Sequence, residues 1–149
     1  MMFDDVRDLY QEVILDRGRQ PRHGSRPAAW TASARGDNPM CGDRCAVFVD
    51  QAPDGTLRTV GFEARGCAIS IASADLMVEA AQGATPATVQ TLAEEFRLLA
   101  RTGMSDDPAL EALRPLAGVH EYPSRVKCAM LPWHALLAAL QGEQEASSE

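Results

Sequence analysis

The sequence predicts an α+β domain, a small antiparallel sheet with helices packed on one face. Extended segments come early in the chain and helical ones follow, without the alternation that builds a parallel sheet. The run Pro53-Asp54-Gly55 is a tight turn that folds two of the extended segments into an antiparallel hairpin. At 149 residues the chain can bury roughly 70% of the surface its unfolded form exposes, so its core needs no disulfide staples.

The elements follow in order. Phe3, Val6, Leu9, Tyr10, Val13 and Ile14 recur at helical spacing, which predicts a helix over 4–17 with Asp4 and Asp5 at its positive end. Gly18 and Pro21 stop it, and the Arg-, Gly- and Pro-rich stretch 18–29 reads as a loop. Extended segments are predicted at 30–35, 43–50 and 56–65. Helices follow at 70–82 with Ser70 as N-cap, at 86–101 between Pro86 and Gly103, briefly near 108–116, and at 125–141. Pro132 means that the last helix either begins near Cys128 or kinks. Residues 1–141 form the expected single domain, and the polar, acidic 142–149 is an expected disordered tail.

Composition narrows the function. Fourteen basic against 21 acidic residues leave a net charge of -7, which argues against nucleic acid as the main partner. The N-terminus carries acids and no apolar run of signal-peptide or membrane-span length, so a cytoplasmic protein is expected. In a reducing compartment the four cysteines, Cys41, Cys45, Cys67 and Cys128, point to metal binding or thiol chemistry.

Cys41-Gly42-Asp43 sets a thiol and a carboxylate two residues apart across a glycine, on a loop that Asn38-Pro39 breaks just upstream. Cys67 precedes one predicted helix and Cys128 opens another, places where the helix dipole favours thiolate. Three such thiols with Asp43 would suit tetrahedral zinc or an iron–sulfur cluster; spacing alone equally allows buried, inert cysteines. Alternation puts Cys45 with Val47 and Val49 on one strand face, a core position. His23, His120 and His134 show no ligand spacing.

Four ordered segments, LYQEVILDRGRQPRHG (9–24), GDNPMCGD (36–43), GFEARGCAISIASADLM (61–77) and RVKCAMLPWHAL (125–136), resemble the SufU branch of the IscU-like iron–sulfur assembly proteins. The resemblance spans nearly the whole chain. It implies an N-terminal helix, a three-stranded antiparallel sheet, several helices and one metal site with Cys41, Asp43, Cys67 and Cys128 as ligands. Lys127 stands where the scaffold branch usually has histidine, and about 60 residues separate Cys67 from Cys128, longer than in that branch. Both departures resemble SufU.

What the resemblance implies is a zinc-dependent sulfurtransferase that accepts sulfur on Cys41 from a pyridoxal-phosphate cysteine desulfurase of the SufS type and passes it to downstream iron–sulfur assembly proteins. The alternative is a scaffold that builds an iron–sulfur cluster on the same residues. Arg125 and Lys127 are candidates to offset the charge of the site or to contact the partner. The arginines of 17–26 could dock an acidic surface or simply be solvated.

Overall fold

The computed structural model describes residues 2–39 and 42–147, with side chains for 11–39 and 42–146. Helix α1 runs Met2–Arg19, so most of its expected apolar stripe lies on side chains outside the described set, while Val13 and Ile14 pack against the core. The helix continues through Gly18, because that residue is where it meets the start of the next helix. A Cβ on Gly18 would lie 2.7 Å from Ala68 Cβ.

Strands β1 (Ala32–Asn38), β2 (Asp43–Gln51) and β3 (Leu57–Arg65) pair antiparallel in sequence order. Gly55 takes φ +93° in the predicted hairpin turn. Across the sheet, Ala34, Val47 and Phe62 form one inward row, and Gly36, Cys45 and Ala64 the next. Arg35, Ala46 and Glu63 form an outward row, as do Asp37, Arg44 and Arg65.

Three strands are expected and four are found. The fourth, β4 (Glu145–Ser147), pairs parallel to the free edge of β1, with Arg35 opposite Glu145. It comes from the segment expected to be a disordered tail. Edge pairing uses backbone groups, so a polar strand of three residues leaves no hydrophobic pattern in the sequence.

The helices cover the inner face. Helix α2 spans Ala68–Ala81 and α3 spans Pro86–Thr102, the latter capped by Thr85, whose hydroxyl accepts from the Thr88 amide, and closed by Gly103 at φ +78°. Of its apolar set, Leu92, Phe96 and Leu99 are buried, whereas Leu98 is exposed. The piece expected near 108–116 is a 3₁₀ helix, Pro108–Glu121. Its buried Leu110, Leu113, Leu116 and Val119 recur every third residue, the period of that helix.

Helix α4, Pro123–Leu140, crosses β1 and β2 with Pro132 in its interior. It neither begins at Cys128 nor has that residue in its first turn: Pro123 sits at its start, the place where a missing N–H costs nothing. A Cβ on Gly36 would lie 2.9 Å from Leu131 Cδ1, so the glycine lets α4 settle onto the sheet. Among the described residues, no helix is long and apolar enough to cross a membrane.

Candidate metal centre

Asp43 opens β2 on the same face as Cys45, Val47 and Val49, so strand alternation drives its carboxylate inward, where it is 1% exposed. The neighbouring strand ends at Arg65, and Gly66 turns the chain with φ +128°. Only glycine fits there. An added Cβ would lie 2.0 Å from Asp43 Oδ1.

Cys67 follows as the N-cap residue of α2, in extended conformation. Its amide donates to Asp43 Oδ1 at 2.8 Å, and its thiol approaches Asp43 Oδ2 at 3.4 Å. The expected N-cap, Ser70, is instead inside the helix and buried, because α2 starts two residues sooner than the expected boundary. Cys128 reaches the same place from α4, with its sulfur fully buried and 3.6 Å from the Ser124 carbonyl. Pro132 has no N–H to offer the Cys128 carbonyl, so the regular helical bond from that position is missing beside the thiol.

One oxygen of Asp43 and the sulfurs of Cys67 and Cys128 all lie within 4.8 Å of one another. Ligand sulfurs of a tetrahedral zinc ion with bonds of about 2.3 Å are separated by about 3.8 Å, so these donors need close by only about 1 Å. The donor set of two soft thiols and a carboxylate suits zinc and equally suits iron in a sulfur cluster. Both thiols and the carboxylate are anionic when ligated, and burial makes an ion in their midst the natural counter-charge.

The fourth expected ligand, Cys41, lies outside the described residues. Among the residues next to it in the chain, the Gly42 amide donates to the Asn38 carbonyl at 2.8 Å, and Gly42 takes φ +74°. Asn38 itself is buried. An open cleft of about 970 Å³ on the sheet is lined by Arg35, Asp37, Arg44, Glu63 and Arg65 together with Pro39 and Gly42.

Cys45 stands apart from this cluster. It is 2% exposed among apolar neighbours, and burial pushes its thiol up to about 12, which keeps it a protonated core residue. Arg125 and Lys127 are exposed on the first turns of α4, Arg125 one turn before Cys128.

The arginine loop is less available than its composition suggests. Arg17 pairs with the buried Asp75 at 2.7 Å and with Glu79, while the His23 amide donates to Asp75 at 2.8 Å. Burial works against the charge on Arg17, yet Glu79 and Asp75 hold its pKa above the ordinary value. Arg22 pairs with Asp16, and Arg26 pairs with Glu63 and lies over the Phe48 ring.

Sequence reasoning passed over Gly66 and Ser70 as functional residues. Gly66 left a signal, a glycine next to a candidate ligand at a strand end; Ser70 looked like an ordinary cap.

A family model described as the NifU-like N terminal domain matches residues 9–129. Over 133 residues the chain is 32% identical to the iron–sulfur cluster assembly scaffold protein IscU of Thermotoga maritima, covering 89% of this chain and 93% of that protein. It is 33% identical over 138 residues to the zinc-dependent sulfurtransferase SufU of Bacillus subtilis, covering 91% and 92%. A crystal structure from Fervidobacterium islandicum, described as an iron–sulfur cluster assembly scaffold protein for the SUF system, superposes with a TM-score of 0.80 at 29% identity, covering 87% of this chain and 94% of that one. With Asp43, Cys67 and Cys128 clustered on the matching fold, the chain belongs to the NifU-like N-terminal domain family, among the IscU-like, SufU-type proteins of iron–sulfur cluster assembly.

Proposed function

We propose that this protein is a zinc-dependent sulfurtransferase that takes sulfur from the persulfide of a pyridoxal-phosphate cysteine desulfurase onto Cys41. It would act in the cytoplasm, where its thiols stay reduced. The observation that carries this is the convergence of Asp43, Cys67 and Cys128, with Asp43 two residues after Cys41 in the chain. Similarity to the Bacillus subtilis zinc-dependent sulfurtransferase, and Lys127 before Cys128, support it over a scaffold role.

Asp43, Cys67, Cys128 and Cys41 would hold the ion. Zinc, when bound, keeps cysteine sulfur deprotonated without any redox chemistry of its own. The Cys41 thiolate attacks the terminal sulfur of the donor persulfide. The donor's sulfur–sulfur bond breaks, its cysteine leaves as thiolate, and a new sulfur–sulfur bond forms on Cys41. One bond replaces another, with no net oxidation. Asp43, locked through one oxygen by the Cys67 amide, stays in place while Cys41 engages the donor. Gly42 supplies backbone freedom next to Cys41. Arg125 and Lys127 offset the anionic charge and face the incoming partner.

The test is cysteine turnover by the cognate desulfurase, run anaerobically with the zinc-loaded, metal-free and Cys41→Ala forms. Stimulation that requires both zinc and Cys41 is expected; normal stimulation by Cys41→Ala would refute the assignment. The scaffold alternative has the support of the IscU relatives. It predicts instead that anaerobic iron and sulfide build a coloured cluster on the protein and that the zinc form gives no stimulation.

A further inference from the structure

Among the described residues, two buried side-chain polar atoms have no hydrogen-bond partner, Ser70 Oγ and Trp133 Nε1. Trp133 brings a large ring into the core, stacked on Phe96 with centroids 5.2 Å apart, and its apolar burial offsets one unmet donor. Ser70 brings almost nothing apolar. Alanine would fill the same space without stranding a hydroxyl, so an orphan here asks for a function.

Its position supplies one. Ser70 lies three residues after Cys67, the residue that caps α2, and three before Ser73 on the same face of the helix. Ser73 Oγ donates to the Ala129 carbonyl at 2.6 Å, immediately after Cys128. Along α2, Ser70 therefore lies midway between Cys67 and the point where Ser73 ties the helix to α4 next to Cys128. A serine inside a helix often satisfies itself by bonding to the carbonyl four residues back, and this one does not.

We propose that Ser70 is a positioning residue of the metal centre, its hydroxyl donating to ligand sulfur when Cys67 and Cys128 are metal-bound. Neutral thiols are weak acceptors, whereas a thiolate accepts a charge-assisted bond roughly twice as strong as a neutral one. Among the described residues, no sulfur lies within hydrogen-bond reach of the hydroxyl in the metal-free protein, and the proposal is that the closing of the ligands onto an ion brings one there. Such a bond orients the sulfur and draws charge from it, which tunes how tightly the metal is held and how readily a ligand exchanges. The inference rests on Cys67 and Cys128 being ligands.

The experiment compares the full-length chain with Ser70→Ala. Zinc affinity is read by competition with a chromophoric chelator, sulfur-to-metal charge transfer by the absorption of the cobalt-substituted forms, and fold by the thermal midpoint of the metal-free forms. Ser70→Ala is expected to leave the metal-free midpoint unchanged or raised, to weaken zinc about tenfold or more, and to shift the cobalt charge-transfer band. Unchanged affinity with an unshifted band overturns the role of Ser70 alone. A fall in metal-free midpoint that parallels the loss of affinity also overturns it, since the residue would then be structural. A wild-type protein that takes up neither zinc nor cobalt overturns the ligand assignment together with it.

Discussion

Two neighbourhoods along α4 differ in kind, the polar one at Cys128 and the apolar one at Trp133 and Leu136, which Ala129, Met130 and Leu131 also join. Ahead of Pro132, Cys128 is buried against Asp43 and Cys67, where polar groups crowd together and the backbone nearby needs a glycine at φ +128°. Beyond it, Trp133 stacks on Phe96 and Leu136 is fully buried in the hydrophobic core. The first neighbourhood gathers groups whose desolvation opposes folding, and the second, with residues from both sides of Pro132, supplies the apolar burial that offsets it. Stability and metal binding are therefore separable along one helix.

The sharpest way to break this separation is to attack the apolar neighbourhood. Phe96→Ala removes a fully buried ring and is expected to cost about 3–5 kcal/mol in chemical denaturation. The variant that remains folded should bind zinc as the wild type does. A matching loss of zinc affinity would show that the two are coupled.

Gly66→Ala attacks the polar neighbourhood. It forces a side chain into a backbone conformation reserved for glycine, at about 1–3 kcal/mol, and pushes a Cβ against the Asp43 carboxylate. Zinc affinity should fall at least tenfold in the same chelator competition. Preserved affinity would mean that Asp43 is not a ligand.

The smallest effect sharpens the contrast between two cysteines. Cys45 has an ordinary pKa of 9.0 when unfolded and about 12 in the fold. Below about pH 9 it is protonated in both states and its contribution to stability is fully present. Above that the unfolded chain releases the proton and the folded one does not, so stability falls as pH rises toward 12, by about 1.4 kcal/mol at pH 10. Cys45→Val should retain its metal, and its stability relative to wild type should improve by that amount between pH 7 and pH 10. Loss of zinc on this substitution would move Cys45 into the site.

Much of this was legible in the chain. The hairpin turn at Gly55, the inward face shared by Cys45 and Val47, and the bounds of α3 all follow from local rules, because the turn, alternation and caps involve neighbours in sequence. Ser70 was misread for the same reason. Serine ahead of an apolar run has the local look of a cap, and only the packing of α2 against α4 shows it buried inside the helix. Of the two outcomes that Pro132 allowed, a start near Cys128 is excluded, since α4 begins at Pro123 and runs through the proline, packed on distant strands. The pairing of Arg17 with Asp75, 58 residues apart, left no trace in either segment alone.

By itself the sequence determined the α+β class, the order of nearly every element, the core role of Cys45 and, through its four motifs, the family. Tertiary structure decided that Asp43, Cys67 and Cys128 meet within 4.8 Å, that Gly66 must lack a side chain, that the Ser70 hydroxyl is buried without a partner, and that the tail closes the edge of β1. Patterns that depend on a residue's near neighbours are written in the chain, whereas distances between elements exist only once their faces have packed.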